Sequence, residues 1–118
     1  MLFRSIPSFP EKDGIVVFND GMWYGKIAAH ALVHRNFLKY TGNTLFYPGY
    51  KHYHVDRDLT MIAQKHNKMA YAYNSVVYHL QAKSGRAKLN RSVGKAFETE
   101  KNDLEIYNKR KAEGFPKY

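Results

Sequence analysis

The chain contains no cysteine, which excludes a disulfide framework and any thiolate metal site, so a bound ion would need His, Asp, Glu or Asn ligands. No apolar run approaches a membrane span, and the opening MLFRSIPSFP carries only short apolar pieces broken by Pro7 and Pro10, too little for a secretory leader. These absences make a soluble cytoplasmic protein the expectation. Acidic residues are scarce: ten Asp and Glu face nineteen Lys and Arg, a formal +9 over 118 residues. That balance favours anionic partners, whether nucleic acid, phosphorylated small molecules or an acidic surface. Gly-rich phosphate loops, HExxH, GxSxG and helix-turn-helix or RNP-like signatures are missing too, which removes the sharpest enzymatic and nucleic-acid assignments.

What is present fits one domain over residues 1–118. Residues 1–14, with two prolines and a closing Lys-Asp-Gly, predict an extended arm ending in a turn. Ile15 to Phe18 is an apolar β-branched run stopped by Asn19-Asp20-Gly21, a buried strand. A short strand near Ile27 to Val33 and a helix from Arg35 to Tyr40 follow, closed by Gly42 in a left-handed cap. Thr44 to Tyr53 reads as an aromatic loop. Asp56 suits the N-cap of a helix whose apolar face is Leu59, Ile62, Ala63 and His66, with Asn67 in the closing position. Met69–Tyr73 and Val76–Leu80 are β-prone runs about Asn74-Ser75, either a hairpin or one bent strand. Gln81 to Arg91 reads as a basic loop, and Val93, Phe97, Leu104 and Tyr107 mark one face of a helix over 92–114 ending at Gly114. The elements predict an α/β domain, a small mixed β-sheet flanked by helices.

Chemistry concentrates in YKHYHVDRDL, residues 50–59. A carboxylate at a helix N-terminus meets free N–H groups and can accept a proton from a hydroxyl or hold a cation; Asp is also simply a preferred capping residue, so Asp56 and Asp58 suit either role. His79 ends an apolar run, where an imidazole can ligate a divalent ion or serve as a hydrogen-bonded structural residue. His52 and His54, two apart, share a side if the chain is extended and form a possible metal pair. Lys83, Arg86, Lys88 and Arg91 could clamp phosphates, while Tyr47, Tyr50 and Tyr53 could stack on sugars or bases.

The order of these features resembles the C-terminal, acceptor-side half of family 2 glycosyltransferases of the GT-A fold. It runs from IVVFNDG through HRNFLKYTGN and FYPGYKHY to VDRDL and VVYHL. YPGYKHYHVDRDL, YNSVVYHLQAKSGRAK and the closing KRKAEGFP look particularly like phage and bacterial members. The resemblance spans roughly residues 13–116 and is one of motif order. It implies that Asp56 is the catalytic base that deprotonates an acceptor hydroxyl, that Asp58, Tyr50, His54 and Arg86 bind acceptor or substrate, and that His79 helps hold Mn or Mg on the diphosphate of a nucleotide sugar.

Two departures qualify what it implies. Val55 stands where the family commonly has Glu, and the nucleotide-binding half with its Asp-x-Asp motif has no counterpart here, Asn19-Asp20 offering one carboxylate. The resemblance therefore implies a truncated or split enzyme working with a glycan acceptor, completed by a homo-oligomer or a separate nucleotide-binding chain, since half a sheet leaves an edge or face to cover. The alternatives are a non-catalytic glycan- or phosphate-binding remnant and a small basic phage-type nucleic-acid-binding protein.

Overall fold

The run Ile15–Asn19 forms β1, the central strand of the protein. The computed structural model describes residues 9–78 and the backbone of 91–118, with side chains from residue 99 onward. Ala31–Val33 forms β2, and Met69–Val76 forms β3. The sheet they make is mixed, ordered β2-β1-β3, with β1 antiparallel to β2 and parallel to β3. A 3₁₀ turn at Arg35–Phe37 leads into α1 (Leu38–Thr41); α2 spans Val55–Lys65 and α3 Arg91–Ala112. The α/β class with a small mixed sheet flanked by helices is thus as the sequence predicts.

Alternation along β1 decides which face the helices take. Ile15 and Val17, both buried, pack against Phe37 ahead of α1, Leu59, Ile62 and Ala63 of α2, and Tyr107 and Phe115 at the end of the chain. On the opposite face Val16 and Ala72 are covered by Phe9, and Leu32 is half exposed. Among the described residues no helix is long and apolar enough to cross a membrane.

Several boundaries differ from expectation for physical reasons. The second strand is confined to Ala31–Val33 because the Ala28 amide leaves the sheet to bond Thr60 Oγ1 at 2.8 Å, and the ladder starts only where Phe18 donates to His30. Asn74-Ser75 makes no hairpin; β3 is one bent strand, its register slipping so that Phe18 faces Ala72 while Asn19 faces Val76. Asn19 spans the slip, its side chain donating to Tyr73 O and its carbonyl accepting from Val77. The arm turns before it reaches β1, with Lys12 donating to Phe9 O at 2.8 Å. Residues 1–8 of that arm, the loop at 81–90 and the end of the Val76–Leu80 run lie outside the described residues. Gly42 does close α1 left-handed, at φ 96°, where a Cβ would also meet Tyr118 O at 3.0 Å.

The inward face of α3 is set by Asp103, Tyr107 and Arg110, four and three residues apart, and Leu104 is exposed. The buried pair is Asp58 with Arg110: Nε donates to Oδ2 at 2.5 Å and Nη2 to Oδ1 at 3.2 Å. Tyr50 Oη donates to the same carboxylate at 2.7 Å, and Arg110 also reaches Pro116 O. The Arg110 guanidinium lies over the rings of Tyr47 and Tyr118, at 4.3 and 5.0 Å. Removing one member strands a buried charge. Arg110→Ala should therefore lose about 3–5 kcal/mol in urea denaturation, and the double variant Asp58→Leu, Arg110→Met should recover much of it; a loss under about 1 kcal/mol for Arg110→Ala would contradict the arrangement.

Candidate functional site

The residues of YKHYHVDRDL are held from behind by α3. Asp103, fully buried, accepts the backbone N–H groups of Lys51, His52 and Tyr53 at 3.0, 2.9 and 2.8 Å. Burial works against that charge, but the three amides hold the carboxyl below the usual carboxylate range. With these amides gathered, the chain turns into α2 at His54, two residues earlier than an Asp56 cap requires. His54 is the capping residue, left-handed at φ 68°, and Asp58 N donates to its carbonyl. Asp56 stands in the first turn, its Oδ1 accepting from Arg57 N at 2.8 Å.

The predicted site residues part company here. Asp58 and Tyr50 turn inward to Arg110, and burial followed by the Asp58 contact pushes the Tyr50 hydroxyl well above the ordinary tyrosine range. His54 packs its ring 5.5 Å from that of Tyr107 and takes a hydrogen bond at Nδ1 from Arg57, whose guanidinium lies 4.5 Å over Tyr107. Its Nε2 is buried without a hydrogen-bond partner. His52 is exposed, and the chain between the two histidines is not the extended stretch the sequence suggests, residue 54 being left-handed. Asp56 and His54 are partly exposed. His79 and Arg86 lie outside the described residues.

A hollow of about 440 Å³ lies at the carboxyl ends of β1 and β3, walled by Phe18, Ala28, His30, Leu45, Leu59 and Val77, with Phe46 at its side; of α2 it is Leu59, not Asp56, that lines it. Ligands of open α/β sheets bind beyond the carboxyl ends of the strands. Thr60 ties the start of α2 to this wall, donating to Asp56 O at 2.6 Å while accepting from Ala28 N. The turn after β1 is fixed by Asp20, whose Oδ1 accepts from Met22 and Trp23 at 2.9 and 2.8 Å. It leaves Trp23 and Tyr24 exposed. Gly25 in that turn lies against the ring of Tyr71, where a Cβ would come within 2.5 Å.

The amino end of the sheet carries a second cluster that sequence reasoning passes over. Asp13, fully buried, accepts from Tyr40 Oη at 2.6 Å and pairs with Lys39 and Lys68 at 3.1 and 2.9 Å. The tyrosine hydrogen bond, against the cost of burial and with both ammonium groups, holds its carboxyl far below the usual range. Lys-Asp-Gly reads as a turn in the sequence, and only the long-range approach of Tyr40 and Lys68 makes it an anchor.

No protein-family model matches the chain, and neither a curated protein nor a solved structure matches it. Among the described residues no group of three His, Asp or Glu side chains could hold a metal ion; His79, the residue the resemblance gives to the metal, lies outside them.

Burial, then the Arg57 charge, lowers the His54 pKa below 6.5, and burial lowers that of His66 in the same direction. A group whose folded pKa is depressed stabilises the protein above its unfolded pKa and loses that contribution as pH falls toward the folded value. Stability should therefore drop as pH falls from about 6.5. His54→Asn, which keeps a residue tolerant of left-handed backbone, should make the drop shallower, with the His66 part remaining. Urea midpoints from pH 7.5 to 5.5 test this; an unchanged slope in the variant would contradict it.

Proposed function

We propose that the chain is the acceptor-side domain of a sugar-nucleotide-dependent glycosyltransferase, with GT-A ancestry and Asp56 as its base. The observation that carries the reading is Asp56 itself: a partly exposed carboxylate in the first turn of α2, on a residue whose backbone carbonyl accepts from Thr60, which in turn accepts from Ala28 on the wall of a hollow at the carboxyl ends of parallel strands. An acceptor hydroxyl seated there attacks the anomeric carbon of the donor sugar. Asp56 takes the hydroxyl proton, the bond from anomeric carbon to diphosphate breaks, and the nucleoside diphosphate leaves with the electron pair, inverting the carbon. Asp58, Tyr50 and His54 act through structure in this reading: they position the start of α2 and touch no substrate.

The donor's diphosphate calls for groups beyond those described around Asp56, which is why the reading includes a second copy or a nucleotide-binding chain; Mn or Mg held there would offset the charge of the leaving diphosphate. Leu32, half exposed on the face of the sheet away from the helices, gives such a partner an apolar landing place. Gel filtration should accordingly show a species larger than the 13.8 kDa chain; a clean monomer at micromolar concentration would count against the partner.

Transfer from UDP-sugars in the presence of Mn, with the partner chain or the oligomer, tests the chemistry. Asp56→Asn should lower kcat by on the order of 10²–10⁴ while the urea midpoint stays near that of wild type. Wild-type rates in the variant, or no turnover and no nucleotide binding by the wild type, would overturn the reading. The formal +9 charge favours a second reading, binding to nucleic acid. Affinity for DNA that falls steeply with salt would support it.

A further inference from the structure

The turn after β1 and the bent strand β3 together present four aromatic rings to water. Trp23, Tyr24, Tyr71 and Tyr73 are exposed at 38, 62, 36 and 62 %. Their backbone is nonetheless tied down. Asp20, itself buried, accepts from Met22 and Trp23, and Asn19 Oδ1 accepts from Gly21 N at 3.1 Å. The same Asn19 donates through Nδ2 to Tyr73 O at 3.1 Å, so one side chain joins the aromatic turn to the aromatic strand. The ring of Tyr71 makes a second joint, lying against Gly25 where any side chain would collide with it. In β3 the register with β1 jumps from Ala72 to Val76, and the residues passed over begin with Tyr73. Tyr24 takes a left-handed backbone at φ 48°, which costs a bulky residue free energy. Turn geometry alone would be met better by glycine or asparagine.

Charge indicates what such rings would meet. From Gly21 to Phe97 the sequence holds twelve Lys and Arg against two acids, Asp56 and Asp58, and Asp58 is buried with Arg110. Lys26 stands exposed within the aromatic turn itself. Rings held in place and open to water, in a basic surround, suit a flat partner that carries negative charge, and a nucleobase on its phosphate backbone is one. Every base has a π-face that can stack on an aromatic side chain whatever the sequence, but in a duplex neighbouring bases cover those faces. We propose that Trp23, Tyr24, Tyr71 and Tyr73 form a stacking platform for single-stranded nucleic acid, with Lys26 and the basic surround meeting its phosphates. The platform uses none of the residues given to sugar transfer, and it supplies a location that net charge alone does not.

Trp23 is the single tryptophan of the chain, so its emission reports stacking directly. The full chain is titrated with oligothymidylate and oligouridylate of about 15 nucleotides, with the thymidylate annealed to its complement, and with cellohexaose. A single strand should quench Trp23 with a Kd that rises steeply with salt and lies at least about tenfold below that of the duplex; the tighter of the two strands tells DNA from RNA. Tyr73→Ala and Tyr24→Asn should each weaken binding by about 5- to 100-fold, the worth of one stacked base. Tyr73→Phe, which keeps the ring, and Leu104→Ala on the exposed side of α3 should bind as wild type does. Thermal melts of the variants show that they fold. Unchanged Trp23 emission at saturating oligonucleotide, equal affinity for the duplex, or wild-type affinity in both Tyr73→Ala and Tyr24→Asn would overturn the proposal. Quenching by cellohexaose alone would overturn it too and give the surface to neutral glycans.

Discussion

The contact between Asp58 and Arg110 governs the rest of the molecule. Both side chains are out of water, at 0 and 4 % exposure. Each would cost several kcal/mol to bury alone, so the pair is tolerable only when its remaining hydrogen-bonding groups are met as well. They are met by Tyr50, Tyr118 and the Pro116 carbonyl, with the faces of Tyr47 and Tyr118 stacked on the guanidinium. Those partners come from the aromatic loop, the start of α2, the end of α3 and the chain terminus. One ionic contact thereby joins four segments whose apolar side chains also pack in one core.

Asp103 does for the backbone what Asp58 does for side chains. By collecting three consecutive amides it forces the loop to end where it does, and His54 absorbs the resulting bend in a left-handed conformation. Position along α2 then decides how each carboxylate is placed: residue 58 faces α3 and becomes an anchor, and residue 56 stays partly exposed in the first turn. Asp13 repeats the device at the amino end of the sheet, where Tyr40, Lys39 and Lys68 converge on it. Buried carboxylates thus hold the fold at three places, and the apolar core fills the space between them.

Elements whose signal is local were legible in the sequence. The β-branched run of β1 with its Asn-Asp-Gly stop, the apolar spacing of α2, Asn67 after it and Gly42 after α1 all declare themselves within a few residues, because period and backbone conformation are short-range properties. The failures share one cause: they depend on residues about fifty positions away. The capping preference of Asp56 yields to Asp103 on α3, and at Asn74-Ser75, where a hairpin and one bent strand were both open, the ladder with β1, bridged by Asn19, selects the bent strand. Leu104 looked like a core position by hydrophobicity, yet Asp103, Tyr107 and Arg110 are the residues turned inward. Buried charges with distant partners read as solvated surface in a sequence. In the Tyr50–Leu59 stretch, that Tyr50 and Asp58 turn inward to Arg110 was not readable from the sequence.

The central claim is that the start of α2 and the hollow beside it form one binding site. An amide chemical-shift map of the chain, titrated with a UDP-sugar and Mg, measures this most directly. The account predicts that shifts cluster at Ala28–Ala31, Phe46 and Val55–Thr60. Shifts gathered instead around Asp13, Lys39 and Lys68, at the opposite end of the sheet, would contradict it.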